Sequence, residues 1–297
     1  MALRSPLAAT LFSVDPSSGG RVQGYASRHV EGRPLLLVHS VNAAASAFEV
    51  RPLFDHYGPL RPTYAFDLPG FGLSDRSSRV YDPRRMTDAL LAVVAQIRAA
   101  YPGVALDALA VSLGCEFLAR AAAEEPSAFR SIALVSPTGF AGNKPRNGPP
   151  GSTFEVPGVH AVLSIPFLSD ALFGALTRPR VVRFFLEKTW GRSQIDEELW
   201  AYDVATAKAP DAKNAPLAFL SGQLFSKDVM RLYEALRMPV WMSHGVRGDF
   251  VDYRGADAMK GRDNWSFEVF DTGALPYFEV PGDFIAAYDR FLDGIRG

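Results

Sequence analysis

The stretch Leu106-Asp107-Ala108-Leu109-Ala110-Val111-Ser112-Leu113-Gly114 carries the strongest signal for the fold of this chain. An apolar run typical of a buried strand ends at Ser112 and passes directly into a helical pattern. The residues two positions before and after the serine, Ala110 and Gly114, are small, which lets strand and helix approach closely around a sharp turn. The pattern predicts an elbow that presents the serine, and the simpler interpretation is a serine that caps a helix.

The helix after this serine has a chemical consequence. A helix that begins at Leu113 would direct its free N–H groups and the positive end of its dipole at Ser112. Such donors stabilise the negative charge that develops on an oxygen during acyl transfer. Ser112 is therefore the candidate nucleophile.

Four further segments accompany the elbow in a fixed order. Before it stand the buried-strand run and loop of residues 34–42 and the segment Thr63-Tyr64-Ala65-Phe66-Asp67-Leu68-Pro69-Gly70-Phe71-Gly72-Leu73-Ser74-Asp75. After it come residues 131–139 and 238–249, each opening as an apolar strand. Together these segments resemble the α/β-hydrolase superfamily of serine esterases and lipases over about residues 7 to 297.

The resemblance implies an α/β fold with a mostly parallel central sheet flanked by helices and an inserted helical cap. It also implies an oxyanion hole formed by the backbone N–H groups of Val41 and Leu113. The chain departs from the family at Ser40 and Ala110, where glycine is usual.

The catalytic acid of the family follows the strand that ends near His244. The segment Gly245-Val246-Arg247-Gly248-Asp249 is one residue longer than the family pattern, so Asp249 is the favoured acid and Asp252 the fallback. A solvated turn rich in glycine and aspartate is the simpler interpretation of this segment.

The catalytic histidine of the family is missing. Residues 273–281 fit the pattern Gly-His-x-Pro-x-x-Glu-x-Pro everywhere except at Ala274, and no histidine occurs after His244. His39 and His244 occupy common structural positions at strand ends, and His29 and His56 should lie away from the pocket. His160 is the one histidine that we consider able to reach Ser112 from the cap.

Alanine can neither accept the proton of a serine hydroxyl nor protonate a leaving group. Three interpretations follow. The first is a serine hydrolase of an ester or related acyl bond, impaired or inactive because Ala274 leaves the base position vacant. The second is a catalytically dead protein that binds an apolar ligand, and the third is a non-hydrolytic lyase or isomerase using the same pocket. The retained elbow favours the first.

Composition agrees with a large globular core. The chain has 297 residues, 48% of them apolar, and a net charge of −1, which gives no reason to expect nucleic acid or an anionic membrane surface. Its single cysteine, Cys115, fits core packing on the elbow helix and a reducing compartment. We expect no membrane span, no metal, no cofactor and a cytoplasmic location, and nothing indicates an oligomeric state.

The coarse organisation follows from turn and helix signals. Residues 7–13 and 21–28 are separated by turn-forming residues, which predicts a β-hairpin at the start of the sheet. Thr87 is the predicted cap of a helix that ends at Pro102 and Gly103. Residues 265–270 predict a final strand, and a last helix follows Pro281. We expect the core domain at 1–139 and 226–297 and the cap at 140–225. The predicted cap is rich in aromatic residues, which indicates either an apolar small-molecule substrate or simply core packing; these residues are Phe167, Phe173, Phe184, Phe185, Trp190, Trp200, Tyr202, Phe219 and Phe225.

Overall fold

An eight-stranded sheet forms the centre of the structure, a computed structural model that describes residues 3–142 and 146–295. The strands are β1 (Thr10–Val14), β2 (Val22–Ala26), β3 (Leu35–Val38), β4 (Thr63–Phe66), β5 (Leu106–Val111), β6 (Phe129–Val135), β7 (Val240–Gly245) and β8 (Trp265–Phe270). The helices are α1 (Arg51–Tyr57), α2 (Pro83–Ala100), α3 (Gly114–Glu124), α4 (Val159–Leu163), α5 (Pro166–Leu176), α6 (Pro179–Trp190), α7 (Glu197–Thr206), α8 (Asn214–Leu220), α9 (Val229–Ala235), α10 (Pro276–Glu279) and α11 (Pro281–Gly294).

The sheet is parallel except at one edge. Its order is β1-β2-β4-β3-β5-β6-β7-β8, and β2 pairs antiparallel with both β1 and β4. The central strand β5 is buried at all six positions, as expected for a parallel strand covered on both faces. This confirms the predicted α/β class, the hairpin at the start of the sheet and the last strand.

Two apolar clusters cover the two faces of the sheet. Side chains alternate along β5, so Ala108 and Ala110 join the cluster that contains α2 and α3, while Leu109 and Val111 join the cluster that contains α1 and α11. Because the strands are parallel, the loops that follow β3, β5, β6, β7 and β8 all leave the same edge of the sheet. That edge carries the candidate site.

The helix α2 begins earlier than the sequence pattern predicted. Its cap is Asp82, whose carboxylate accepts the backbone N–H of Arg85 at 2.8 Å, and Pro83 takes the first helical position. Thr87 lies inside the helix, where its hydroxyl donates to the carbonyl of Pro83 at 2.7 Å. The prediction of Thr87 as the cap was therefore wrong, because an aspartate followed by proline is the stronger start signal.

Between β6 and β7 the described residues, 136–142 and 146–239, form six helices, α4 to α9. Phe173 of α5 packs with Ala44, Ala207 and Ala212, so these helices rest on the loop that follows β3. Across the described ranges, we find no helix that combines the length and apolar character needed to cross a membrane.

Candidate active site

Ser112 stands in a strained turn between β5 and α3. Its φ of 52° lies in the left-handed region that non-glycine residues rarely adopt. A side chain at Gly114 would place its Cβ 2.5 Å from the carbonyl oxygen of His39, so only glycine lets α3 start this close to β3. Leu113, not Ser112, occupies the capping position, and no side chain caps the helix. The geometry therefore disagrees with a simple capping serine.

Two backbone donors remain available around this serine. Within residues 3–142 and 146–295, neither the N–H of Val41 nor that of Leu113 donates to another protein group. Both residues are buried in the same apolar cluster on one face of the sheet. Unpaired donors in an apolar setting are what an oxyanion hole requires, since a developing charge would then be their partner.

Glu49 fixes the loop that carries Val41 by hydrogen bonds to the residues before and after it. Its carboxylate accepts the backbone N–H of Ser40 at 2.9 Å and the side-chain amide of Asn42 at 2.8 Å. Glu49 is 3% exposed, and this burial raises the pKa of its carboxyl. The serine at position 40 is thus accommodated by a carboxylate that fixes the loop.

His39 is a structural residue in this loop. Its Nδ1 lies 2.5 Å from the carbonyl oxygen of Ser40, and its Nε2 accepts the N–H of Leu68 at 2.9 Å. With both nitrogens engaged, the ring is neutral, and burial lowers its pKa to about 4. His39 has no nitrogen left to act as the base for Ser112.

Ala274 is fixed by its own backbone in the loop after β8. Its N–H donates to the carbonyl of Thr189 at 2.9 Å, and its carbonyl accepts the hydroxyl of Ser136 at 2.7 Å. Ser136 follows β6, just as Ser112 follows β5, and also has a positive φ, of 49°. Ala274 is 8% exposed. Its bond to Thr189 places it against the end of α6.

Asp249 lies beside the Ala274 loop. Its N–H donates to the carbonyl of Lys188 at 3.2 Å, next to the carbonyl of Thr189 that binds Ala274. Its carboxylate is 54% exposed and pairs with the ammonium of Lys188 at 3.2 Å. It also lines a cleft of about 420 Å³ on the outer side of α6, which Ser112 does not line.

Asp252 serves a different contact. One carboxylate oxygen accepts the N–H of Gly142 at 2.9 Å and pairs with Arg254 at 2.7 Å. The hydrogen bonds from Arg254 hold the pKa of this carboxyl well below its usual range. Asp252 thus connects the loops after β6 and β7, whereas the backbone of Asp249 is bound to Lys188, the residue before the Thr189 that binds Ala274.

None of the other histidines has a hydrogen bond to Ser112 in the described parts of the chain. The ring of His244 stacks on Tyr253 with 4.0 Å between centroids, and its Nδ1 lies 2.8 Å from its neighbour's carbonyl. His160 lies on α4, with its Nε2 3.4 Å from the hydroxyl of Ser164 on the same helix. His56 packs edge-on against Tyr57 in α1.

Cys115 is a core residue. It is fully buried, its thiol donates to the carbonyl of Ala110 at 3.2 Å, and burial raises the pKa of the thiol. The expectation of core packing is confirmed. Over 3–142 and 146–295, no three His, Cys, Asp or Glu side chains come together in a way that could hold a metal ion.

Sequence reasoning missed one buried acid, which lies on α7 near Glu49. Asp203 is 2% exposed, and its Oδ1 has no hydrogen-bond partner among the described residues. Burial, and then the neighbouring Glu49, raise the pKa of Asp203 well above its usual value. Two carboxyls without a cation between them share a buried space, so one of them retains its proton.

This pair predicts a pH dependence of stability. The folded chain keeps the proton on Asp203, whereas the unfolded chain releases it above the ordinary pKa of 3.8. The free energy of unfolding should therefore fall as pH rises above that value, by up to about 1.4 kcal/mol per pH unit. In Asp203→Asn, urea unfolding at several pH values should show a smaller decline, because Glu49, whose pKa burial also raises, still contributes to it. The exposed Asp15→Asn serves as the matched control, and superimposable profiles for wild type and Asp203→Asn would contradict the assignment.

The model of a family described as the alpha/beta hydrolase fold matches residues 33–213, more than half of the chain. The chain belongs to the α/β-hydrolase family. None of the curated proteins compared matches the sequence.

Solved structures agree with this α/β-hydrolase assignment. A thermophilic esterase from Thermogutta terrifontis has a TM-score of 0.72 and 16% identity over 97% of this chain and 100% of its own. A variant of the meta-cleavage product hydrolase from Pseudomonas fluorescens has a TM-score of 0.70 and 16% identity over 96% and 98%. A bacterial membrane phospholipase A has a TM-score of 0.71 and 19% identity over 97% and 87%. At such identities the likeness establishes the shared fold.

Proposed function

We propose that this α/β-hydrolase acts, or descends from a protein that acted, on an ester or related acyl bond through Ser112. The observation that carries the proposal is the strained serine with two free backbone donors beside it. A left-handed serine costs on the order of 1–3 kcal/mol. Ser136 is strained in the same way but has its hydroxyl bound to the carbonyl of Ala274, whereas Ser112 lies beside two free donors. Esterases among the similar structures agree with this class of substrate.

The reaction would begin with attack of the Ser112 hydroxyl oxygen on the acyl carbonyl carbon. The carbonyl oxygen would gain negative charge and accept hydrogen bonds from the N–H groups of Val41 and Leu113. As the tetrahedral intermediate collapses, the bond from carbon to the leaving alcohol breaks, and that alcohol takes up a proton. Water then attacks the acyl carbon, the bond from that carbon to the Ser112 oxygen breaks, and the serine oxygen regains a proton as the carboxylic acid leaves.

The proton transfers are the weak point of this sequence. In the family, one imidazole removes the serine proton and delivers it to the leaving group, and an acid orients it. Here Asp249 occupies the acid position and Ala274 the base position, so solvent must carry both protons. We therefore propose an impaired or inactive enzyme.

We also propose a two-part organisation for this site. Residues 1–139 and 226–297 form the hydrolase core, and residues 140–225 form a cap over it. Support comes from Phe173, which packs against Ala44 near the loop that bears Val41. The apolar setting of Val41 and Leu113 favours an apolar small-molecule substrate.

Residual activity tests the proposal on the chain as it stands. Turnover of p-nitrophenyl esters with short and medium acyl chains should be slow, at most about 10³ to 10⁴ over water, because only the oxyanion donors and binding remain. Ser112→Ala should reduce this remainder if it passes through an acyl-enzyme. An identical rate in Ser112→Ala would contradict an acyl-enzyme on Ser112. Absence of turnover above that of water in both proteins would favour a protein that binds an apolar ligand.

A further inference from the structure

The helices α4 and α5 present an unusual amount of apolar side chain to solvent. No residue of α4 is buried, and of the eleven residues of α5 only Ser169 and Phe173 are. Phe167, at the start of α5, is 86% exposed. Exposed apolar surface of this kind in a folded protein marks a contact with a partner or a membrane.

These side chains lie on three helices that follow one another, and we call them together the apolar ridge. The helix α4 contacts α5, and α5 contacts α6, so each helix adjoins the next. The ridge comprises residues that are 40–86% exposed: Val162, Ile165, Phe167, Leu168, Phe184 and Phe185. Phe173 anchors α5 to the rest of the protein on the opposite side, which fixes the outward direction of the ridge.

The charges around the ridge have one predominant sign. Between residues 159 and 188 the chain carries three arginines and one lysine against two acids, Asp170 and Glu187. Lys213 pairs with Asp170, and Arg183 pairs with Glu197. Arg178 and Arg180 are exposed at the start of α6 and form no ion pair within residues 3–142 and 146–295. Arg180, Phe184 and Lys188 follow at intervals of four and so share one face of α6.

We propose that the apolar ridge docks on an anionic phospholipid surface. The apolar side chains would enter the boundary between headgroups and acyl chains, and the arginines would bind lipid phosphates. A symmetric contact with a second copy is disfavoured, because a two-fold axis through the ridge would bring the unpaired arginines against their own copies. The overall charge of −1 is compatible with this attraction, since it depends on local charge.

Vesicle flotation tests this proposal with the whole chain and does not depend on hydrolysis. We expect the protein to float with phosphatidylcholine vesicles that contain phosphatidylglycerol, more weakly with phosphatidylcholine alone, and less at high salt. The double variant Arg178→Gln/Arg180→Gln should lower partitioning by about 30-fold at low salt, from about 1 kcal/mol per charge. Its matched control is Arg237→Gln/Arg290→Gln, which removes the same charge from exposed positions outside the ridge.

The apolar contribution has its own pair of variants. Phe167→Ser should lower partitioning by more than about tenfold at either salt concentration, because it removes a side chain that would be buried in the bilayer. Leu60→Ser, at a residue 63% exposed beside β4, should leave it unchanged. The proposal would be overturned if the wild type and all variants floated equally, or if the wild type did not float with the vesicles at all. A dimer, seen by light scattering, that Phe167→Ser dissociates while vesicles are not bound would also overturn it.

Discussion

Ala274→His should raise the turnover of p-nitrophenyl esters by several orders of magnitude. Loss of the histidine from a complete serine triad lowers turnover on the order of 10⁶, so this is the upper limit of the gain. The gain depends on a correctly placed side chain. The backbone at position 274 is already held by hydrogen bonds to Thr189 and Ser136, which fix where the new imidazole begins.

The pH profile should identify the new base. An imidazole accepts the serine proton only when it is neutral, so activity of Ala274→His should rise with pH through the ordinary histidine pKa of about 6.5. The slow turnover of the wild type should lack this step. Adding Ser112→Ala to Ala274→His should remove the gain. No gain in a variant that folds normally would contradict the proposed function.

The same background separates the two candidate acids. Asp249→Asn in the Ala274→His protein should lower turnover by up to about 10⁴, as loss of the orienting acid does in related chemistry. Asp252→Asn is the matched control, because it makes the same change in the same loop at a carboxylate engaged with Gly142 and Arg254. A larger loss in Asp252→Asn would transfer the acid role to that residue.

Much of the sheet and its elbow could be predicted from sequence, because their signals are local. The strand predicted at residues 265–270 is β8, with the same bounds. Small residues around Ser112 predicted a sharp turn in which strand and helix approach closely. The structure has this close approach, because a Cβ at Gly114 would lie 2.5 Å from the carbonyl oxygen of His39. The wrong cap at Thr87 has an equally local cause, in the stronger signal of Asp82 and Pro83.

The acid pair beside the candidate oxyanion loop could not be predicted in this way. Glu49 and Asp203 lie far apart in the sequence and meet because α7 packs on the 3-10 helix Ala47–Val50. The rings of Phe48 and Tyr202 stack there with 4.7 Å between centroids. Nothing in either local pattern specifies this contact, because it results from the path of the helices between β6 and β7. Glu49 carried one usable signal, a charged residue inside an apolar run.

The turn after β4 offers the largest expected effect on stability. Its centre is Asp67, which is fully buried and accepts the hydroxyl of Tyr25 at 2.5 Å and the N–H groups of Ala47 and Leu73 at 2.7 Å each. A Cβ at Gly72 would lie 1.9 Å from the carboxyl carbon of Asp67. The carboxylate cannot move aside without breaking these three bonds.

Gly72→Ala should therefore lower the free energy of unfolding by about 3–5 kcal/mol, from overpacking together with disrupted buried hydrogen bonds. Part of any such loss comes from the backbone, because Gly72 has a φ of 51°. Gly103→Ala measures that part alone, since Gly103 has a φ of 76° and an added Cβ there would meet no atom within 4 Å. It should cost about 1–2 kcal/mol. Urea unfolding of both variants, compared at equal m-values, gives the difference between their losses in free energy of unfolding. Equal losses in Gly72→Ala and Gly103→Ala would show that the Asp67 network tolerates the added methyl group.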